Sequence, residues 1–108
     1  MDMNDYQDGA LSTAIFPEEY KILYPALKLA GEAGEVSDKV GKVLRDNGGE
    51  FTDEIKWALG KEIGDVLWYC AALSASLGID LNTVAQTNLD KLASRKERGV
   101  IGGSGDER

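Results

Sequence analysis

The stretch Gly60–Leu73, G-K-E-I-G-D-V-L-W-Y-C-A-A-L, sets the tightest condition on how this chain can fold. At about 100° per residue, Glu62 shares a helical stripe with Ile55, Leu59, Val66 and Leu73, and Asp65 lies at the stripe's edge. A carboxylate taken out of water is strongly destabilising unless something compensates it, so two acids where apolar residues belong ask for a cation. A second pair with the same three-residue spacing, Glu32 and Glu35 in A-G-E-A-G-E-V, precedes them. Residues three apart on a helix rise by about 4.5 Å and diverge by about 60°, so each pair can aim two carboxylates into one gap between helices. Mg²⁺, with Mn²⁺ as the alternative, takes oxygen ligands and keeps waters, leaving room for substrate phosphates. The bland reading of a lone Glu-x-x-Glu is a solvated face paired with lysines. Two such pairs, one of them mid-stripe and both beside glycines (Gly31 and Gly34, Gly60 and Gly64), favour the metal.

What the chain lacks narrows the chemistry further. There is no histidine, which removes histidine-based triads, imidazole-built zinc sites and the Glu-x-x-His di-iron pattern. A net charge of -7 argues against a nucleic-acid surface, and an acidic protein that handles anionic substrates needs a divalent ion between the two. Cys70, the single cysteine, lies in an apolar run and reads as a buried small hydrophobe, which fits a reducing compartment. The N-terminus lacks a signal-peptide pattern and no apolar run can span a bilayer, so the expectation is a cytoplasmic protein with no membrane partner.

The pattern predicts four helices. The first runs from Asn4 to about Ala14, capped by Asn4 or Asp5. The second begins near Tyr24 with Pro25 in its first turn, and Asn47-Gly48-Gly49 ends it. Thr52 caps the third, which reaches about Leu77 with Gly78 as its stop; Asp80 caps the fourth, which ends near Gly99. With short connections and no strand-like alternation, this is an all-α chain, bundle-like, with one domain over residues 1–99 and a Gly-rich tail over 100–108. So small a chain has a modest core, and its helices are expected to pack helix to helix in a homodimer or homotetramer. Trp57, Trp68 and Tyr69 are read as packing residues of the core or of that interface.

On the fourth helix, Asn88 falls in angle between Leu81 and Leu92, inside the apolar stripe, while Lys91 and Arg95 run along one edge. Such a cation pair can hold phosphate oxygens, or can merely complement the helix dipole at a solvated end.

The three segments G-E-A-G-E-V (31–36), K-E-I-G-D-V (61–66) and N-L-D-K-L-A-S-R (88–95), in this order and spacing, resemble the MazG-like members of the all-α nucleoside triphosphate pyrophosphohydrolases. The resemblance covers roughly residues 20 to 105. It implies Mg²⁺ held by Glu32, Glu35, Glu62 and Asp65, with Asn88, Lys91 and Arg95 facing a nucleotide. It further implies hydrolysis of a (deoxy)nucleoside triphosphate to the monophosphate and pyrophosphate. With no histidine, a carboxylate is the expected general base, and Glu35 and Glu62 are the catalytic candidates. Two other readings stay open: a narrow dUTP- or dCTP-type pyrophosphatase, and a non-catalytic nucleotide-binding or helical interaction module.

Overall fold

The computed structural model describes residues 1–108. Its four helices are α1 (Met3–Leu11), α2 (Leu23–Asp46), α3 (Asp53–Ser76) and α4 (Leu81–Glu97), with one 3₁₀ turn at Glu18–Tyr20 and no strand. The all-α expectation holds, and the helix boundaries follow from local chemistry. Thr52 Oγ1 accepts from the Ile55 amide (3.2 Å), satisfying one of the free N–H groups at the start of α3. Gly48 and Gly49, both at positive φ (61° and 78°), reverse the chain after α2, and Gly78 (φ 76°) does the same after α3. Pro25 sits in the first turn of α2, where no intrahelical donor is needed, and is buried.

α1 departs from the expectation at both ends. Its N-cap is Asp2, in a reciprocal box: the Asp5 amide donates to Asp2 Oδ1 (2.8 Å) and the Asp2 amide donates to Asp5 Oδ2 (3.2 Å). It stops at Leu11 rather than Ala14, as the Ser12 and Thr13 hydroxyls donate to the carbonyls of Gly9 and Ala10. Asn4 is thereby free for another role. Its side-chain oxygen accepts from the Asn82 amide (2.8 Å), its own amide N–H donates to Asn82 Oδ1 (3.2 Å), and its Nδ2 donates to Asp80 (2.8 Å). Asp80 occupies the N-cap position of α4, but its carboxylate takes Thr83 Oγ1 and Asn4 rather than a backbone N–H of the helix. Those bonds hold its pKa below the usual carboxylate range.

Gln7 completes the junction. It is buried; its Nε2 donates to the carbonyls of Ala71 (3.1 Å) and Ile79 (3.3 Å), and its Oε1 accepts from the Leu81 amide (3.1 Å). One glutamine therefore ties α1 to the last turns of α3, the α3–α4 loop and the first turn of α4. Around it lie Ala10, Ala71 and Leu81, with Met3, Tyr6 and Trp68 packed alongside.

Two 24-residue helices, each about 36 Å long at 1.5 Å per residue, make an α2–α3 hairpin, and α1 and α4 pack on α3 and on each other. The resulting body measures 43 × 42 × 27 Å with a radius of gyration of 16.7 Å, against about 13 Å for a compact globule of this length. Only 8 of 108 residues are buried, and large apolar side chains of α2 and α3 face outward, among them Leu27 (65% exposed), Leu44 (63%) and Trp57 (75%). No helix is long and apolar enough to cross a membrane.

Candidate metal centre and flanking cavities

The α2–α3 hairpin brings three of the four predicted carboxylates together. One oxygen each from Glu32, Glu62 and Asp65 lies within 4.8 Å of the others. The convergence follows from the register of the hairpin: Glu32 on α2 meets Glu62 and Asp65, one turn apart on α3, across the gap that three-residue spacing allows. Ligand oxygens around an octahedral Mg²⁺ stand about 3.0 Å apart when adjacent and about 4.2 Å when opposite, so small side-chain adjustments would close this set on the ion. The donor set, all carboxylate oxygen, suits a hard divalent cation. Glu35 is exposed and lies outside the converging three.

Glu62 is partly enclosed, with a side chain 19% exposed, and its one ionic partner is Lys39, whose Nζ stands 3.6 Å from Oε1. The ammonium supplies part of the compensation that a mid-stripe carboxylate needs. Sequence reasoning did not single out Lys39, although it sits four residues beyond Glu35 and seven beyond Glu32, on the same face of α2. Gly31, Gly34 and Gly64 have no atom near where a side chain would begin, and Gly60 meets only the Trp57 ring. Nothing within this chain makes the close approach that four helical glycines suggest.

Beside the carboxylates, Glu32 and Asp65 border a cavity of about 320 Å³ whose other walls are Trp68 and Tyr69. The same two rings also line a second cavity of about 390 Å³ with Thr13, Ile15, Phe16, Pro17 and Tyr24. Its rings form a cage. Phe16 stacks on Tyr24 (centroids 5.5 Å apart), Trp68 meets Tyr69 edge-on (4.9 Å), and Phe16 meets Trp68 edge-on (6.5 Å). Trp68 Nε1 donates to Thr13 Oγ1 (3.1 Å), which fixes the indole at the mouth. Burial, followed by Tyr24, Glu32 and Asp65, pushes the Tyr69 phenol up, so it remains a neutral donor. The packing role expected of Trp68 and Tyr69 is thus joined by a wall of open space next to the carboxylates, and Trp57 packs in no core of this chain.

The basic side of the candidate site lies elsewhere. Asn88 and Lys91 line a third cavity, of about 470 Å³, with Ile79, Thr83, Val84, Thr87 and Asp106. That cavity and the one bordered by Glu32 and Asp65 share no residue. Asn88, expected within a covered stripe, is exposed, because α4 is held mainly at its first turn and Leu89 and Leu92 of the same helix face outward. Arg95 is the reverse: it is 5% exposed. Its Nη2 donates to the Asp106 carbonyl (2.6 Å) and to Asp106 Oδ1 (3.3 Å), while Lys91 Nζ donates to the same Oδ1 (2.8 Å). Residues 100–108 therefore fold back on α4.

Residues 23–100 match the family described as MazG nucleotide pyrophosphohydrolase domain. Along its whole length the chain is 47% identical to the Gene 37 protein of Mycobacterium phage L5, all of which is covered. No solved structure matches.

Proposed function

Because the chain belongs to the MazG nucleotide pyrophosphohydrolase family, we propose that it hydrolyses a (deoxy)nucleoside triphosphate to the monophosphate and pyrophosphate in a Mg²⁺-dependent reaction centred on α2 and α3. The observation that carries this reading is the convergence of Glu32, Glu62 and Asp65 beside an aromatic cavity. A bound divalent ion would neutralise phosphate charge and make a neighbouring water more acidic. Glu32, Glu62 and Asp65 would hold that ion, with Glu62 the catalytic residue among them. Glu35, one turn from Glu32, completes the four-carboxylate set and takes the proton of the attacking water. The water oxygen would bond to one of the two phosphorus atoms flanking the α,β-bridging oxygen as the bond from that phosphorus to the bridging oxygen breaks, leaving the monophosphate and pyrophosphate.

The base lies in the cage of Phe16, Tyr24, Trp68 and Tyr69, whose faces suit stacking and whose volume is that of a small-ligand site. Asn88 and Lys91 serve the phosphates, while Arg95, buried against Asp106, contributes only from behind them. In one chain they are apart from the carboxylates, so the complete site forms in a homodimer or homotetramer that brings the α4 of one copy to the α2–α3 hairpin of another. Three features favour association: the expanded radius of gyration, the exposed Leu27, Leu44 and Trp57, and the open space at Gly31, Gly34 and Gly64. Phosphorus NMR of a reaction with each deoxynucleoside triphosphate and Mg²⁺ tests the proposal. Monophosphate plus pyrophosphate supports it, turnover confined to dUTP or dCTP narrows it, and diphosphate plus phosphate, or no turnover at all, refutes it.

A further inference from the structure

The last nine residues carry three glycines and few apolar groups, yet they are fastened to α4 at several points. Arg108 is the lock: its Nε donates to the carbonyls of Val100 and Gly102 (both 3.1 Å), its Nη1 to Gly105 (2.6 Å) and its Nη2 to Ile101 (3.1 Å). One planar guanidinium with a fixed fork of donors thus gathers four carbonyls into a closed loop, with Gly103 and Gly105 at positive φ (92° and 90°) making the bends. The loop is joined to the helix by the Val100 amide, which donates to the Arg95 carbonyl (2.8 Å), and by Arg98 Nη2, which donates to the Arg108 carbonyl (2.6 Å). Its product is the placement of one carboxylate. Asp106 stands between the buried Arg95 and the half-buried Lys91 and forms part of the wall of the α4 cavity.

Arg95, buried and bonded to residue 106, presents no open face to a ligand. Lys91 does: it makes one hydrogen bond, to Asp106, and an ammonium has three donors, so two remain to reach into the cavity it shares with Asn88, Thr83 and Thr87. We propose that residues 100–108 are a working part of the substrate site, in which Asp106 is a positioning residue that holds the Lys91 ammonium for the nucleotide's phosphates, with Arg95 and Arg108 fixing Asp106. The proposal rests on Lys91 being a phosphate ligand. It gives Arg95 an indirect role in place of a direct contact, and it gives the tail a function that its composition does not announce. A lysine on a flexible four-carbon stem loses much of its freedom when it binds an anion; a carboxylate that has already fixed the ammonium removes part of that loss.

The test uses the full chain and the variants Asp106→Asn, Asp106→Glu, Arg108→Ala and Lys91→Ala, singly and with Asp106→Asn combined with Lys91→Ala. Two readouts are taken: KM and kcat for the best nucleoside triphosphate, and calorimetric affinity for inorganic tripolyphosphate. We expect Asp106→Asn and Arg108→Ala each to raise KM and weaken tripolyphosphate binding by about 3- to 10-fold with kcat nearly unchanged, and Asp106→Glu to recover part of the loss. In the double variant, Asp106→Asn should add nothing to Lys91→Ala, because both act through one ammonium. A tighter KM and tighter tripolyphosphate binding in Asp106→Asn would overturn the proposal by making the carboxylate a competitor for the phosphate seat. A lower melting temperature with both readouts unchanged would overturn it by reducing the tail to a structural cap. A wild-type chain that binds tripolyphosphate but turns over no nucleotide would fail the hydrolase reading, while the affinity series would still decide the role of Asp106.

Discussion

Glu62→Gln should reverse its effect on stability according to whether Mg²⁺ is present. In the chain without metal, Glu62 stands within 4.8 Å of carboxylate oxygens from Glu32 and Asp65, and 3.6 Å from the Lys39 ammonium. At an effective dielectric of about 20, two repulsions at that distance sum to roughly 7 kcal/mol and one attraction to roughly 4.6 kcal/mol, a net repulsion near 2 kcal/mol. Asp65 and Lys39 are exposed enough for solvent to screen these terms, so about 1 kcal/mol is a fair expectation for the gain when Gln replaces Glu. Lys39, which is 39% exposed, remains hydrated after the change. With Mg²⁺ at about ten times its dissociation constant, wild type gains about 1.4 kcal/mol that a variant lacking this ligand largely forgoes. Differential scanning calorimetry in EDTA and then in excess Mg²⁺ measures both. The variant should melt higher than wild type in EDTA and lower in Mg²⁺, with shifts of about 4–8 °C for each kcal/mol in a domain of this size. Equal stabilisation of both proteins by Mg²⁺ would refute Glu62 as a ligand, and a variant that melts lower in EDTA would refute the repulsion argument.

Mixing Glu62→Gln with Lys91→Ala after dissociation, at a nucleotide concentration too low for Lys91→Ala to bind well, should restore about a quarter of wild-type activity if each site joins two copies in a dimer, since half of the random dimers carry one intact site of two; no recovery would place the whole site in one chain. Light scattering at micromolar concentration should give a dimer or tetramer mass, and a monomer mass would contradict the account of the exposed hairpin face. Lys91 and Arg95 hold the Asp106 carboxyl below its usual range, so the carboxylate's share of the tail's attachment is fully present above about pH 4, the unfolded value, and is lost as pH falls through the depressed one. Relative to its intrinsic rate, amide hydrogen exchange near Asp106 in wild type should therefore accelerate only at pH values below the ordinary carboxylate range; at neutral pH it should be modestly faster in Asp106→Asn, and faster across residues 100–108 in Arg108→Ala.

The parts of the fold legible in the sequence were those fixed by near neighbours. Thr52, the Asn47-Gly48-Gly49 stop and Gly78 act through bonds and φ angles within a few residues, and the helices end where these say. Glu32, Glu62 and Asp65 were legible for the same reason, because two i, i+3 spacings on adjoining helices need only a hairpin to converge. The start of α4 at Asp80 was legible too, but what anchors it was not: Gln7 and Asn4 reach it from more than 70 residues away, through side-chain bonds that leave no periodic trace. Angular position also misplaced Asn88, since a stripe records which residues share a face and not whether anything covers it. Arg95 went the other way, buried by a glycine-rich tail whose order depends on the single side chain of Arg108.

The most direct test of the carboxylate site is pyrophosphate release from nucleoside triphosphates, measured against Mg²⁺ concentration in wild type and Glu62→Gln side by side. Release should rise with Mg²⁺ and vanish in EDTA for wild type, and should fall by at least about 100-fold in the variant, as expected when several kcal/mol of charge stabilisation are removed. Release that persists in EDTA, or that continues at the wild-type rate in Glu62→Gln, would contradict the carboxylate site as the metal centre.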